Sequence, residues 1–494
     1  MASLEGRAAG VRADPGGRAS RAEPPVALTH DPGRVLILGA GPTGLGAAHR
    51  FQQLGFDNFR LLEAATSAGG LATSVVDEQG FTWDLGGHVQ FSHYSYYDDV
   101  LEAALGDEWL WHERESWVWI KGRFVPYPFQ NNIHRLDPED MELALRGLER
   151  AAAVRPTTAA AHFGAWIQTT FGEGIAQLFL YPYNFKVWGV PPERMGVTWM
   201  GERVAVPDLE RIRRNIAEGR DDVSWGPNHR FRFPKRGGTG AIWRRVAALI
   251  PPTHLLFDHR MARVDAAGRA VTLANGRTMR YDTLITSAPL DLLAESCEGL
   301  PADTRRAARA LVHSSVHIVG VGLKGPMPAE LGRKCWMYYP EDHNPYYRVT
   351  VFSNYSPANV PDPESHFSLM AEVCESPYKP VDESSLRDWV LAAMRKDGLI
   401  GADADVVSFW HRRVQHGYPT PFLGRDAVLD HLIPALARRR IHSRGRFGGW
   451  KYEVANQDHS FMQGVELADR LLDGKPETTY FDPVRANSGV FLRK

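Results

Sequence analysis

Along the chain, the sharpest change of hydrophobic pattern falls at RVLILGAGPTGLGAAHRFQQLG, where a run of β-formers meets a glycine-rich turn and then apolar residues at helical spacing. A second β-rich run follows in NFRLLEA, so the order strand, turn, helix, strand is predicted. Asp137-Pro138 reads as a helix start, and Met141, Leu145, Leu148 and Ala152 recur on one face, predicting a helical region over 137–220. WVWIKGRFVPYP reads as a hairpin turning at Lys121-Gly122. GRAVTLANGRTMRYDTLITSAPL reads as another, with an Asn275-Gly276 turn leading to a buried strand. VHIVGVGLK, YRVTVFSNY and FSLMAEVCES are β-rich runs separated by turn residues. The expected organisation is a tail at 1–33, a discontinuous nucleotide-binding domain at 34–110, 225–295 and 405–494, the helical domain, and a β-sheet domain at 111–136 and 311–404. A last helix is expected near Phe461 to Leu472, and SPANVPDPES is the most loop-like internal segment.

The first turn carries the most specific local chemistry. Gly39 permits a tight turn, Gly41 lets backbone approach a pyrophosphate, Gly44 lets helix pack on strand, and the helix N-terminus faces the negative charge. Glu63 follows nineteen residues after Gly44, where a carboxylate accepts hydrogen bonds from a ribose diol. A glycine-rich turn without a ligand is the alternative, but strand, helix and acid together favour a dinucleotide. Two further glycine pairs, Gly69-Gly70 and Gly86-Gly87, the latter followed by His88, bring more backbone N–H groups near a long ligand. No second GxGxxG marks a separate nicotinamide-binding domain.

Composition narrows the partners. A chain of 494 residues with 44% hydrophobic content can bury more than one core. Its 57 Lys plus Arg against 58 Asp plus Glu give a formal charge of −1, which offers no reason to expect nucleic acid or a membrane as partner. Cys297, Cys335 and Cys374 are far apart, which argues against a zinc or disulfide framework and fits a reducing cytoplasm. No HxH or HExxH spacing suggests a metal. No apolar run approaches membrane-spanning length, the first residues lack a signal-peptide core, and Met1 to about His30 reads as a disordered tail. A homo-oligomer is compatible with these features. The stretch PYNFKVWG puts three aromatics, an amide and a cation between a proline and a glycine. From spacing alone Phe185, Val187 and Trp188 read as helix core, with Asn184 and Lys186 exposed.

A carboxylate followed by a Gly-Gly turn resembles the two-dinucleotide-binding-domain flavoproteins and implies FAD. Together GGHVQFSHY, VPYPFQNNI, PYNFKVWG, WMGERVA, RFPKRGGTGAIW, CWMYYPED, YRVTVFSNYSP, HGYPTP and GRFGGWKYEVANQDHSFMQGVE closely resemble the UDP-galactopyranose mutases, in particular the longer eukaryotic-type members. The resemblance covers nearly everything from Arg34 to about Asp473. It implies an α/β FAD domain with a helical and an antiparallel β-sheet domain. It also implies a non-redox isomerase that interconverts UDP-galactopyranose and UDP-galactofuranose through an adduct of the sugar with reduced flavin N5, with NADPH or NADH as reductant.

By residue-to-residue match, the resemblance places Arg348 at the diphosphate, makes Arg203 the other active-site arginine with Arg446 a third candidate, and puts His88 on the flavin face. Tyr338, Tyr418 and Tyr452 surround the diphosphate, and Asn228 and Trp336 belong to the sugar pocket. Asn184 faces the ribose of UDP, Trp188 its diphosphate, Phe179 stacks on uracil, and Tyr127 and Gln130 complete the base pocket. Asn456, Gln457 and Ser460 meet the flavin. Gln90, Tyr181 and Ala455 depart from the family pattern, replacing an aliphatic residue, a basic residue and a glycine, which leaves open another UDP-sugar. An amine-oxidase-type redox flavoenzyme shares the FAD fingerprints and is the alternative from another class. A non-catalytic nucleotide-sugar-binding protein is a third.

Overall fold

Val35–Leu38 is the central strand of a five-stranded parallel sheet, because its residues are apolar on both faces and both faces are covered. The strand order is Ile441–Ser443, Thr283–Thr286, Val35–Leu38, Phe59–Leu62, Leu255–Leu256, so three distant parts of the chain meet in one sheet. This computed structural model describes residues 30–154, 159–200, 204–223 and 229–488. A small four-stranded sheet includes the hairpin that turns at Gly276, whose φ is +83°.

A seven-stranded sheet forms the second unit, in the order Asp405–Pro419, His313–Lys324, His366–Glu375, Arg348–Val351, Trp336–Tyr338, Ser116–Ile120, Arg123–Pro126. All its pairings are antiparallel except Trp336–Tyr338 with Ser116–Ile120. The hairpin at its end turns at Lys121 and Gly122, both at positive φ. Residues 405–419, expected in the nucleotide-binding domain, instead form this sheet's edge strand. Their long ladder with His313–Lys324 outweighs the boundary suggested by local pattern.

Helices Pro138–Ala153, Phe163–Ile175, Tyr181–Trp188 and Leu209–Glu218 form the third unit. On the first of them Ala144, Gly147 and Leu148 are buried, Met141 and Leu145 are half-buried, and Ala152 is exposed, so the apolar face ends earlier than its spacing predicts. In Tyr181–Trp188 both Asn184 and Lys186 are buried, contrary to the expectation from spacing. Lys186 Nζ donates to the Glu341 carbonyl at 2.7 Å, the Asn344 carbonyl at 3.0 Å and Asn344 Oδ1 at 2.5 Å, which satisfies all three of its N–H donors.

Glycines set the distance between the two helices beneath the parallel sheet. Helix Pro42–Gln53 crosses Gln457–Asp473 so closely that a Cβ on Gly46 would overlap the Phe461 carbonyl, and one on Gly464 the Thr43 carbonyl. Gly464→Ala is therefore expected to cost about 1–3 kcal/mol through overpacking, read as a lowered unfolding midpoint in urea. Gly401→Ala, which meets nothing within 4 Å, serves as the control and should leave that midpoint unchanged.

Candidate active site

A cavity of about 940 Å³ runs from the carboxyl end of the parallel sheet to the inner face of the seven-stranded sheet. Its first part is the glycine turn. Gly39 has φ +101°, and a Cβ there would overlap Ser287 Oγ, so only glycine fits. Gly41 has no neighbour closer than 3.9 Å to a Cβ position, which leaves bare backbone facing the cavity. Gly44 lies behind the lining, where a Cβ would overlap the Gly39 carbonyl, so it serves helix–strand packing. Glu63, 8% exposed, accepts from the Ala40 N–H at 2.6 Å and the Ala65 N–H at 2.9 Å while its side chain borders the cavity. Gly69 donates to the Ala40 carbonyl at 2.9 Å and so places Gly70 on the wall.

The far part is lined by Gly86, Gly87, His88, Gln90, Asn456, Gln457 and Ser460. Gln457 is the first residue of helix Gln457–Asp473 and Asn456 its N-cap, so the helix's free N–H groups face this region. Two short helices follow it, so it is not the last helix, contrary to the expectation from sequence. Gln457 Oε1 is fixed by Trp243 Nε1 at 2.7 Å. His88 Nδ1 and Gln90 Nε2 are buried with no hydrogen-bond partner among the described residues. A bare glycine turn, an acid at the end of the second strand and orphaned polar atoms at the other end fit a flavin dinucleotide laid along the cavity.

Glu372 joins this part of the cavity to the strand that carries Arg348. It faces Arg348 across adjacent strands, 2% exposed, and accepts from Arg348 Nε and Nη2, both at 2.8 Å, from Tyr347 Oη at 2.6 Å and from the Gly87 N–H at 3.0 Å. Burial opposes its charge, but the Arg348 guanidinium and these donors outweigh burial and hold its pKa below the ordinary glutamate value. Burial likewise opposes the charge on Arg348, yet Glu372 raises its pKa well above normal, so the pair is ionic. His88 turns part of its ring to the cavity but is deeply surrounded. Burial first, then the Arg446 and Arg348 charges, push its pKa down to about 4, against an opposing pull from Glu372. At neutral pH it is an uncharged imidazole.

Arg348 and Arg446 both line the cavity, together with Tyr418 and Tyr452. The Arg446 guanidinium lies 5.1 Å from the Tyr418 ring centre and 5.7 Å from that of Tyr452, and donates to the Gly417 carbonyl at 3.0 Å. An aromatic wall continues behind them: Trp188 is 4.8 Å from Tyr452, and Tyr338 is 5.1 Å from Tyr183 and 5.2 Å from Tyr127. Trp336 Nε1 donates to Tyr338 Oη at 2.6 Å.

Several expected contacts lie behind the cavity surface. Phe179 is 2% exposed, with its ring stacked on Tyr183 at 5.0 Å and packed on Phe129 at 4.9 Å, so it shows no free face for a base. Gln130 spends its amide N–H on the Ala205 carbonyl at 2.6 Å, and Asn184 donates to the Leu180 carbonyl at 2.8 Å. Trp188 and Trp336 are also buried in the wall. Arg203 and Asn228 lie outside the described residues. Of the departures from the family pattern, Gln90 accepts from Tyr97 Oη at 2.6 Å, Tyr181 donates to the Gly164 carbonyl at 2.9 Å, and Ala455 borders the cavity. Sequence reasoning missed Glu372 and Tyr347. The available signal was Glu372, flanked by Ala371 and Val373 inside the β-rich run FSLMAEVCES.

Glu372→Gln leaves Arg348 buried without its counter-ion and is expected to destabilise the protein by about 3–5 kcal/mol, measured by urea unfolding at neutral pH. The lowered Glu372 pKa contributes stability above the ordinary carboxylate range that is lost in acid. His88, ordinarily near 6.5 and here about 4, adds a loss as pH falls from 6.5 towards 4, because the unfolded chain takes up that proton first. The acid limb of a stability–pH curve should accordingly be shallower over that window in His88→Gln than in the parent.

Comparison with known proteins bears on the chemistry of this cavity. The family model of flavin containing amine oxidoreductases matches residues 42–449. A crystal structure of reduced UDP-galactopyranose mutase is 50% identical to this chain with a TM-score of 0.90, covering 92% of this chain and 97% of that one. A fatty acid isomerase from P. acnes and the cyclohexylamine oxidase of Brevibacterium oxydans share the fold. Each is 16% identical, with TM-scores of 0.61 and 0.62, and each match covers 89% of this chain and 98% of the other. The chain belongs to the flavin containing amine oxidoreductase family and, within that fold, to the UDP-galactopyranose mutases, flavoenzymes that are isomerases.

Proposed function

We propose that this enzyme interconverts UDP-galactopyranose and UDP-galactofuranose with FAD in its reduced state, NADPH or NADH acting as reductant, in the cytoplasm. The observation that carries the reading is the placement of Arg348 and Arg446, with the Tyr418 and Tyr452 hydroxyls, on the same cavity as the glycine and histidine loops. No described helix is long and apolar enough to cross a membrane.

When bound, reduced flavin supplies the nucleophile that displaces the nucleotide from the sugar. The residues of the chain meet the remaining demands. Arg348 and Arg446 neutralise the diphosphate as it departs and hold it for return, since a guanidinium can pair two phosphate oxygens and stays charged. The bidentate grip of Glu372 orients Arg348 before substrate arrives, which lowers the reorganisation needed during the reaction. Neutral His88 adds no positive charge beside the flavin and has an open ring nitrogen for it. Uridine lies along the aromatic wall towards Tyr127, Tyr183 and Phe179, and it reaches Phe179 once the Tyr183 ring turns aside. An amine substrate would arrive as a cation and meet two arginines, which disfavours the amine-oxidase alternative.

Turnover is expected only after the flavin is reduced, with no stoichiometric consumption of reductant. Anaerobic chromatography of products from oxidised and dithionite-reduced enzyme tests this, and product from fully oxidised enzyme would exclude it. Arg348→Ala should cost about 3 kcal/mol or more of transition-state stabilisation with flavin content retained. Arg348→Lys keeps the charge opposite Glu372 and separates loss of the diphosphate fork from loss of the ion pair. UDP should compete with substrate far better than ADP or GDP does, and equal inhibition by all three would remove the proposed base pocket.

A further inference from the structure

His317 and His411 are 94 residues apart in sequence and meet on one face of the seven-stranded sheet. Alternation along the strands turns them away from the cavity, which Val316, Ile318 and Val414 line from the opposite face. His317 Nδ1 and His411 Nε2 are 3.0 Å apart, with the ring planes within 10° of each other. Glu383, exposed and just ahead of helix Leu386–Lys396, completes a set whose donor atoms all lie within 4.8 Å of one another.

We propose that His317, His411 and Glu383 bind a divalent transition-metal ion of the zinc type, with water completing its coordination. Two imidazole nitrogens and one carboxylate suit zinc, cobalt or nickel better than magnesium or calcium. Two nitrogens on a tetrahedral zinc with bonds of about 2.0–2.1 Å stand about 3.3–3.4 Å apart. The ring centres are 5.2 Å apart and the nitrogens now meet almost head-on, so the rings must turn as well as part slightly for both lone pairs to reach one ion. The outer shell is in place: His317 Nε2 is 3.1 Å from Glu375 Oε2, which Arg413 Nε in turn holds at 2.6 Å. A ligating histidine is usually oriented by such a carboxylate on its other nitrogen. Arg413 Nε also lies 3.6 Å from Glu383 Oε1. Glu375 and Glu383 are balanced by Arg413 and by Lys379, which interacts with Glu375, so the two imidazoles and the Glu383 carboxylate, not an excess of negative charge, would hold the cation. A bound ion would tie the edge strand Asp405–Pro419 to its neighbour and to the segment entering helix Leu386–Lys396, clamping the sheet that forms one cavity wall.

The test uses tag-free, FAD-loaded full-length protein, stripped of metal with a chelator and titrated with Zn²⁺ by calorimetry and with Co²⁺ by visible absorption. About one Zn²⁺ per chain is expected, with low-coordinate Co²⁺ bands and a raised melting temperature. His411→Gln and Glu383→Gln, both at the accessible side of the cluster, should each weaken binding about tenfold or more and abolish the thermal shift, with the flavin spectrum unchanged. Absence of Zn²⁺ binding by the parent protein would mean that the two imidazoles share only a hydrogen bond. Unaltered affinity in both variants would place the metal elsewhere, and either result overturns the proposal.

Discussion

The ion pair between Arg348 and Glu372 is the constraint on which the active site depends. An arginine on the wall of a deep cavity is costly to bury alone, and a buried carboxylate opposite it removes most of that cost. Here one carboxylate also takes the Tyr347 hydroxyl and the Gly87 N–H. The position of the histidine loop and the aim of Arg348 are thus set by the same two oxygen atoms. A shift in either is felt by the other, because Glu372 is fully enclosed and has no alternative partner in water.

Around that pair the fold divides the labour by type of surface. The parallel sheet presents bare backbone at its carboxyl end, which suits a long anionic cofactor. The seven-stranded sheet presents alternating side chains, so it can place Arg348 and Tyr418 on the cavity while sending His317 and His411 to the other face. The helical unit contributes mainly aromatic area through Phe179, Tyr183 and Trp188, stiffened by the buried Lys186. That division explains why Arg348 and Glu372 sit on strands and Phe179, Tyr183 and Trp188 on helical segments.

The departures from the family pattern are accommodated without disturbing this arrangement. Tyr181 satisfies its hydroxyl within the helical unit, and Ala455 adds a methyl at the cavity edge. Gln90 is different, since its Oε1 is engaged by Tyr97 while its buried amide nitrogen has no partner among the described residues. It gives this chain a polar donor on the cavity wall beside His88 where an aliphatic side chain would offer none.

Local patterns in the sequence were enough for the glycine turn, Glu63, both hairpins, the helix start at Pro138 and the β-rich runs, because each depends on the conformational preferences of neighbouring residues. Motif resemblance extended this to Arg348, Arg446, His88, Tyr418 and Tyr452, all of which reach the cavity. Spacing misjudged Asn184 and Lys186, since the oxygen atoms that allow Lys186 to be buried come from Glu341 and Asn344, more than 150 residues away. It was silent on Glu372 as the partner of Arg348 and on His317 meeting His411, while the resemblance put Phe179, whose ring Tyr183 covers, at the base. By itself the sequence determined which elements form and which residues carry charge. Only the tertiary structure decided which charges are paired, because burial and strand register set the distances at which a carboxylate can hold an arginine.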